Sequence, residues 1–391
     1  MVKNKINLRR REFMLQTGIM VSASFFASMG CAENPETKPD TRKPDPEDFS
    51  VPALKAIAYG MSAPNPHNTQ AWKFKLVSDQ ELLFYIDAER LLPATDPFTR
   101  QIHIGCGCFL EVMRAGMASN GYAVAIDLLP EGEYSLEETG RKPVARIKLD
   151  PSANAGKDEL IQFFQQRRTN RLAYFEDKIT ETDFQSILSA TMPQYTAIRL
   201  ISADKAVAEH LEIHYQGMAV ESRTYATYEE SRIWFRENDE RIAAERDGIN
   251  LPGGGATGIG KWVAERMLKG LDPGDWHKPS TIGQHLSGYE KKIKSTPALV
   301  QFITPTNTPT AWLQAGMDYV RFQLAAAGAG YFLHPLSQVL QEYSEMDTLR
   351  NQYEVLSGVS DPEKIQMVVR IGKAKLPFES YRRDVDRVLA G

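Results

Sequence analysis

The pattern of apolar and polar positions becomes regular only after residue 50. Apolar residues at 54, 57, 58 and 61 have the spacing of an amphipathic helix, which Pro64 should end. Alternation over 72–76 predicts a strand, with 83–85 as its hairpin partner. A denser apolar run from Cys106 to about Gly121 predicts a long, largely buried helix. The first third therefore predicts the order helix, polar turn, hairpin, long helix.

The rest of the chain also shows helical spacing and strand alternation of apolar residues, in a less regular order. We predict strands over 122–129, 144–149, 198–201, 298–304 and 365–371, and helices near 158–167, 181–190, 311–327 and 339–356 and from about 205. Helices that alternate with antiparallel hairpins favour an α+β fold. The element order of the first third returns loosely in the last third, which predicts an internal duplication with halves 51–155 and 156–391. Residues from about 225 to 288 are charged, aromatic and Gly-rich, and predict an irregular excursion that acts as a lid.

The first 31 residues have the pattern of an export signal. Basic residues precede an apolar run over 18–29, which is shorter than the roughly 20 residues that span a bilayer. Arg10 and Arg11, in RREFM, resemble a twin-arginine signal, and an ordinary secretory signal is the alternative. SMGC at 28–31 resembles a lipoprotein cleavage site, which makes Cys31 a candidate for lipidation. We therefore expect an exported protein, either periplasmic or held by a lipid anchor at the outer side of the cytoplasmic membrane or at the outer membrane.

Composition narrows the remaining classes. The chain has 391 residues, of which 42% are hydrophobic and 25% charged, and these fractions are ordinary for a soluble globular protein. Its formal net charge of −4 argues against nucleic acid as a partner. Residues 32–50 carry four prolines among charges and predict a disordered tether. Cys106 and Cys108, in GCGC, are interpreted as small core residues.

Two segments carry the candidate chemistry. AYGMSAPNPHNTQAW, residues 58–72, ends a helix and leads through a polar, Pro-braced turn into a strand. QRRTNR, residues 166–171, places three arginines and a hydroxyl within five positions. A turn lined with amides and a cluster of cations together suit a phosphorylated cofactor that contains a ring system.

Other constellations have weaker support. GATGIGK at 255–261 fits a phosphate-binding loop only superficially, because Trp262 stands where Ser or Thr would hold Mg²⁺. His210 and His214 have a metal-compatible spacing, but no further ligand accompanies them, and solvated or capping histidines are the favoured interpretation. No G-x-S-x-G sequence is present, so a serine hydrolase of the nucleophile-elbow type has no support.

The two segments closely resemble the APSxxNxQPW and RRSxR signatures of the nitroreductase fold. With DPFTRQIHIGCG, WFR, STPALVQFIT, WLQAGMDYVRFQLAAAG and MVVRIG, the chain from about residue 51 to 389 resembles the Acg-like branch of flavin-dependent nitroreductase-fold proteins. In ordinary members two identical subunits build each flavin site. The resemblance therefore implies a nitroreductase fold in which both subunits are fused, giving a monomeric pseudo-dimer with one complete FMN site per chain.

The resemblance also implies roles for individual residues. Arg167 would meet the FMN phosphate, Thr169 the ribityl or phosphate region, and Arg171 the flavin N1 and O2 atoms. Either Leu336 or Ser337 would present a backbone N–H to flavin N5. The implied cofactor-binding set is Arg167, Arg168, Thr169, Arg171, Pro64, Asn65, His67, Asn68, Gln70, Leu336, Ser337, Arg382 and Arg383. Exposed surface positions are the alternative for the last two. Trp234 and Arg236 match a segment that covers the flavin in this branch, and ordinary packing is the alternative for them.

We therefore predict an FMN-dependent oxidoreductase in which the flavin carries the chemistry, with no catalytic side chain and no metal. Its partners would be an unknown reductant and a small electron acceptor, such as a nitroaromatic or a quinone. The alternative is a protein that sequesters or stores FMN under the lid with little turnover. A fold without cofactor, used as a binding module, is a third interpretation.

Overall fold

Helices and antiparallel strands alternate along the chain in the computed structural model, which describes residues 42–152, 155–268 and 272–390. The helices are α1 (Pro52–Gly60), α2 (Arg100–Ser119), α3 (Glu181–Thr191), α4 (Asp204–Arg223), α5 (Tyr225–Ile233), α6 (Asp239–Glu245), α7 (Gly258–Leu268), α8 (Pro273–Trp276), α9 (Pro279–Ile293), α10 (Pro309–Gly328) and α11 (Asp347–Ser357). The strands are β1 (Trp72–Ser78), β2 (Glu81–Ile86), β3 (Tyr122–Leu128), β4 (Ala145–Pro151), β5 (Ala197–Ile201), β6 (Phe235–Arg236), β7 (Ile249–Asn250), β8 (Ala298–Thr304), β9 (Phe332–Pro335) and β10 (Lys364–Gly372). This mixture of helix and sheet agrees with the predicted α+β class.

The strands form two four-stranded antiparallel sheets. The first has the order β1-β2-β4-β3 and the second the order β5-β8-β10-β9. All seven residues of β8 are buried, which explains why that strand has a continuous apolar run instead of an alternating one. The short parallel pair of β6 and β7 lies in the 225–288 segment.

Two twenty-residue helices, α2 and α10, cross at glycines. A Cβ atom on Gly107 would lie 1.9 Å from the Leu313 carbonyl oxygen, and one on Gly316 would lie 2.0 Å from that of Ile104. The two backbones therefore touch, which only glycine permits at these positions. Cys106 and Cys108 are buried and free in the same helix turn, which agrees with their interpretation as small core residues.

Each long helix packs against one sheet. Because the two helices touch each other, both sheets share one hydrophobic core. Phe109 of α2 packs against Phe74 and Phe84 of the first sheet, with ring centroids 5.0 and 5.2 Å away. Phe322 of α10 packs edge-on against Phe302 of the second sheet, at 5.4 Å. The boundary predicted between residues 155 and 156 stays a prediction.

Several predicted elements differ in the structure. The helix expected near 158–167 is only a 3-10 turn, Glu159–Phe163, because the chain then leaves the helical path and Thr169 pairs with Leu333. The helix expected over 339–356 begins only at Asp347. The strand β9 had no prediction, since its four residues include His334 and Pro335.

The predicted tether is wrong over residues 42–50. The amide of Arg382 donates to the Arg42 carbonyl at 2.8 Å, and Pro46 is buried at the start of a 3-10 turn that Asp45 caps. These contacts supply the packing that composition alone did not predict. The predicted export signal, Cys31 and the rest of the tether, up to residue 41, lie outside the described residues.

The 225–288 segment is more regular than predicted, with α5 to α8 and most of α9 inside it. Glu230 of α5 ties it to the first half, because its carboxylate accepts from the amides of Ala94 and Thr95 at 2.9 and 3.0 Å. Within residues 42–152, 155–268 and 272–390, no helix has both the length and the apolar character needed to cross a membrane.

Candidate functional site

The polar turn after α1 has an unusual backbone. His67, Asn68 and Gln70 all have positive φ values, of 48°, 54° and 49°. Each such residue costs on the order of 1–3 kcal/mol unless the surroundings hold it in place. Here the side-chain oxygen of Asn65 accepts from the Gln70 amide at 2.8 Å, which closes the turn from within. Pro64 is buried at its start.

Gln70 holds this turn to two distant segments. Its side-chain amide donates to the carbonyls of Asn68 and Arg246, at 3.3 and 2.9 Å. Its side-chain oxygen accepts from the Arg383 backbone amide at 2.7 Å. Both amide protons are therefore used within the protein, and the structure gives Gln70 a positioning role.

Two cations from distant parts of the chain meet at the start of the turn. Arg167 donates to the Ser62 carbonyl at 2.9 Å and to the Gln323 side-chain oxygen at 3.2 Å. Arg382 donates to the Ala63 carbonyl at 3.2 Å. Both guanidinium groups are almost completely buried, with residue exposures of 3% and 5%. The structure thus brings together the turn, the RRTNR segment and the C-terminal segment.

Lys43 belongs to the same group of cations, although sequence reasoning placed it in a disordered tether. Its ammonium lies 3.1 Å from the Glu379 carboxylate, which also pairs with Arg168 at 3.0 Å. Burial, with repulsion from Arg167 and Arg382, lowers the pKa of Lys43 to about 7. Burial and Arg167 likewise lower the pKa of Arg382 to about 9, so this side chain stays cationic at neutral pH. We call Lys43, Arg167, Arg168 and Arg382 the outer cation cluster.

Several buried polar atoms around this cluster have no partner within the described residues. They are the Nε atoms of Arg167, Arg168 and Arg382, the Tyr319 hydroxyl and the Gln323 side-chain nitrogen. Buried donors without partners are costly, at about 1–3 kcal/mol each. Glu379 is the one carboxylate paired with the outer cation cluster among these residues, so the cluster carries excess positive charge. This donor set fits the oxygens of a phosphate group.

Arg171 lies near Tyr319, on whose hydroxyl both Arg167 and Arg171 act electrostatically. Burial lowers the pKa of Arg171, and the Tyr319 and Tyr174 hydroxyls oppose that shift. Its charge acts on His67, whose pKa falls to about 4 through burial and then through Arg171. No hydrogen bond or ion pair of the Arg171 guanidinium occurs within the part of the chain that the structure describes. Arg171 therefore offers a free cation beside the polar turn.

The histidine and the other asparagine of the turn have protein partners. His67 lies 3.2 Å from the Ser231 hydroxyl of α5. Asn68 donates from its side chain to the Tyr381 carbonyl at 3.2 Å, while its side-chain oxygen is buried without a partner among the described residues. Thr169 forms an isolated β-bridge with Leu333, so it lies beside β9.

Leu336 and Ser337, the two candidates for a backbone N–H that faces flavin N5, differ in their hydrogen bonding. The Leu336 N–H donates to the Val368 carbonyl at 2.9 Å and extends the pairing with β10. That prediction is corrected, because a donor already in a sheet-type bond is not available. The Ser337 amide is the remaining one of the pair.

Arg383 does not join the outer cation cluster. Its side chain donates to the Gln70 carbonyl at 3.3 Å and lies 3.8 Å from Asp87. Arg382 donates to the Ala63 carbonyl and Arg383 to the Gln70 carbonyl, so the two neighbouring side chains have different partners. The expectation that both would meet one phosphate is corrected for Arg383.

Trp234 and Arg236 form the base of the 225–288 segment. Arg236 pairs with Asp247 at 2.7 Å, and Asp247 also pairs with Arg90. The Arg90 guanidinium lies 5.1 Å from the Trp234 ring and that of Arg236 lies 5.5 Å from it. The Gly248 amide then donates to the Asn68 carbonyl at 3.2 Å, so this base contacts the polar turn directly.

Comparisons with known proteins give partial similarity. No family model matches the chain. The chain is 28% identical over 123 residues to the Acg protein of Mycobacterium tuberculosis (strain H37Rv), whose name marks it as a proposed NAD(P)H nitroreductase. That match covers 31% of this chain and 35% of Acg. Another protein of that organism with the same type of name is 26% identical over 137 residues, or 34% of this chain and 36% of that protein. The chain thus spans about a third of the length of the curated relatives it matches.

Solved structures that match the chain at low scores include nitroreductases. One is a nitroreductase with bound FMN from Bacteroides fragilis, at 16% identity, with a TM-score of 0.32 and coverage of 57% of this chain and 94% of that one. Another is the FMN-dependent nitroreductase NfnB of Mycobacterium smegmatis in complex with NADPH, at 14% identity, with a TM-score of 0.32 and coverage of 56% and 93%. Scores this low do not establish a common fold. The names of the two mycobacterial relatives agree with the enzyme class predicted from the sequence.

Proposed function

We propose that this chain is an FMN-dependent oxidoreductase of the nitroreductase type, with one FMN bound non-covalently per chain. The observation that carries the proposal is the convergence of Arg167 and Arg382 on the carbonyls of Ser62 and Ala63. These contacts join segments 105 and 319 residues apart into one cationic site beside an amide-rich turn.

The residues present fit the phosphate of FMN. Arg167, Arg382 and Lys43 would hold it, since a guanidinium fork matches phosphate oxygens bidentately and each buried Nε still lacks a partner among the described residues. Arg171 would place its positive charge at the N1 and O2 edge of the flavin, where it favours the reduced form. Ser337 would supply the backbone N–H for N5.

The bound flavin supplies electron or hydride transfer to an acceptor such as a nitroaromatic or a quinone. The chain's own residues orient the cofactor and exclude water, and none of them acts as a nucleophile. NAD(P)H is the reductant in the names of the relatives, and we propose it for this chain in assays with purified protein.

We further propose that the chain is a fused pair of nitroreductase-like halves and acts as a monomer. Two antiparallel four-stranded sheets, each covered by one of two crossing helices of equal length, support this proposal. The flavin-to-protein ratio tests it, together with the mass of the particle by light scattering. A ratio near two, or a stable dimer, contradicts it.

Export remains a proposal that rests on the first 31 residues. Replacing both arginines of RREFM by lysine, R10K with R11K, should keep the protein in the cytoplasmic fraction if the signal is of the twin-arginine type. Cys31→Ser should move the mature protein from the membrane to the soluble exported fraction if Cys31 carries a lipid.

Storage of flavin with little turnover is the second candidate function. It is favoured by the contacts that hold the 225–288 segment to the polar turn, namely Gly248 to Asn68 and Gln70 to Arg246. A segment clamped in this way would hinder access of an acceptor. Reduction by dithionite but not by NAD(P)H would support storage, whereas steady NAD(P)H consumption with a nitroaromatic or a quinone would contradict it.

The absorbance spectrum of the folded protein, with identification of the extracted cofactor, is the first experiment. A flavin spectrum with released FMN in a ratio near one is the expected result. A colourless protein that does not take up added FMN would refute the proposed function.

A further inference from the structure

A second group of cations consists of the buried Arg370 and the half-buried Arg171 and Lys292, which lie close enough to act on one another electrostatically. Arg370, in the middle of β10, has no exposed surface, and its guanidinium lies 4.0 Å from the centre of the Tyr174 ring. It donates to the carbonyl of Lys292, whose own ammonium donates to the Gly254 carbonyl at 2.6 Å. Burial lowers the pKa of Lys292, and the charges of Arg370 and Arg171 lower it further. We call Arg171, Lys292 and Arg370 the inner cation cluster.

The inner cation cluster has no counter-charge among the described residues. Across residues 42–152, 155–268 and 272–390, no Asp or Glu forms an ion pair with any of its three members. The outer cation cluster, by contrast, includes an ion pair with Glu379. Arg370 and Lys292 donate to backbone carbonyls, which satisfy hydrogen bonds but supply no negative charge. Positive charge that is buried or half-buried without a counter-charge is unfavourable, so the cluster suits a ligand of opposite charge.

Neutral polar groups without partners lie beside the same cations. The Tyr289 hydroxyl and the His334 Nδ1 are buried and have no hydrogen-bond partner among the described residues, and Tyr289 is 9% exposed. Arg370 perturbs both groups: it opposes the burial-driven rise in the pKa of Tyr289 and adds to the burial-driven fall in that of His334. The Arg370 Nε is also without a partner within the described residues. Cations and free hydrogen-bonding groups therefore face one region.

We infer that Lys292 and Arg370, two members of the inner cation cluster, bind the carboxylate of an aromatic electron acceptor. This inference rests on the proposed function and narrows the acceptor to a negatively charged class. Arg171 is expected to face the flavin, which leaves Lys292 and Arg370 for one further anionic group. A carboxylate is planar and accepts from both a guanidinium and an ammonium, and its negative charge offsets part of the positive charge of these two side chains.

The test compares two probes that share the nitrophenyl ring, the anion 4-nitrobenzoate and its neutral methyl ester, methyl 4-nitrobenzoate. Equilibrium dialysis against the flavin-loaded protein at pH 7 gives the dissociation constant of each. We expect the carboxylate to bind about tenfold or more tightly than the ester, because charge-assisted hydrogen bonds are stronger than neutral ones. Lys292→Gln should remove most of this preference and leave ester binding unchanged.

Two further variants test whether the preference comes from the charge of Lys292 or from a general change in the structure of α9. Lys292→Arg should retain the preference for the carboxylate. Lys291→Gln should have no effect, because Lys291 is the exposed neighbour in α9. Equal affinity for both probes in the wild type, or equal weakening of both by Lys292→Gln, would overturn the inference. Flavin content is measured in every sample: a flavin-loaded protein with no charge preference refutes the inference alone, whereas a protein that never binds flavin refutes the proposed function.

Discussion

Lys43 predicts a pH-dependent affinity for FMN that can be worked out from the structure. Burial, Arg167 and Arg382 lower its pKa to about 7, so half of the molecules lack this charge at that pH. A phosphate dianion beside Lys43 would raise the pKa, so binding would take up a proton above pH 7. The sign follows directly: affinity falls as pH rises, because free protein must gain a proton before it reaches the bound state.

The magnitude follows from the fraction of charged Lys43. That fraction falls from about one half at pH 7 to about 3% at pH 8.5, so the association constant should fall roughly fifteenfold, or ~1.6 kcal/mol. Titrating apoprotein into FMN and following the loss of flavin fluorescence between pH 6.5 and 8.5 measures this slope. Lower pH is avoided because the phosphate itself takes up a proton near pH 6.

Three comparisons check the reasoning. Lys43→Met should bind FMN more weakly at pH 7 and show little pH dependence. Lys75→Met, at an exposed strand position, should behave as the wild type does. Riboflavin has no phosphate and should bind with no such slope. A Lys43→Met variant with the wild-type slope, or a wild type whose FMN affinity does not change over this range, would refute the assignment.

The remaining predictions concern the site, the lid and stability. Arg167→Ala combined with Arg171→Ala should lose most bound flavin, measured as the flavin-to-protein absorbance ratio, because each charge-assisted hydrogen bond contributes about 1.5–3 kcal/mol. Asp247→Asn should lower the free energy of unfolding by about 3–5 kcal/mol in urea titrations and speed flavin reduction, because it leaves two arginines at the base of the 225–288 segment without their counter-charge. Gly316→Ala should lower the free energy of unfolding by about 1–3 kcal/mol, and with it the melting temperature, because its Cβ would lie 2.0 Å from a carbonyl oxygen. Burial raises the pKa of Glu221 to about 7, so the folded protein holds this proton over a pH range in which the unfolded chain has lost it, and folding stability falls as pH rises from about 4.5 to 7. Glu221→Gln should therefore be more stable than the wild type at pH 8, by on the order of 2 kcal/mol in urea titrations.

Matched controls exist for these four tests. They are Arg141→Ala, Asp239→Asn, Gly283→Ala and Glu209→Gln, all at exposed positions or with open space around the new atom. Flavin content unchanged in the double arginine variant would contradict the site. Stability losses no greater than those of the controls would contradict the roles of Asp247 and Gly316. A Glu221→Gln variant less stable than the wild type at pH 8 would contradict the conclusion that the charged Glu221 destabilises the fold.

Local pattern was sufficient for the regular elements. The helix predicted over 311–327 is Pro309–Gly328, and the strand predicted over 298–304 is Ala298–Thr304. Both have strong apolar periods and clear breakers at their ends, so short-range preference and burial agree. The 3-10 turn at Glu159–Phe163 and the strand Phe332–Pro335 were missed because a long-range pairing, Thr169 with Leu333, overrides the local preference there.

The sequence by itself determined the residue types of the site: an amide-rich turn closed by proline, and a run of cations that suits a phosphate. Only the tertiary structure decided which cations meet. Arg382 reaches the start of the turn with Arg167, whereas Arg383 contacts Gln70 at its end, and Lys43 joins from a segment that composition assigns to a tether. The physical reason is that periodicity records which side of an element is buried, whereas charge repulsion and desolvation depend on contacts between segments hundreds of residues apart.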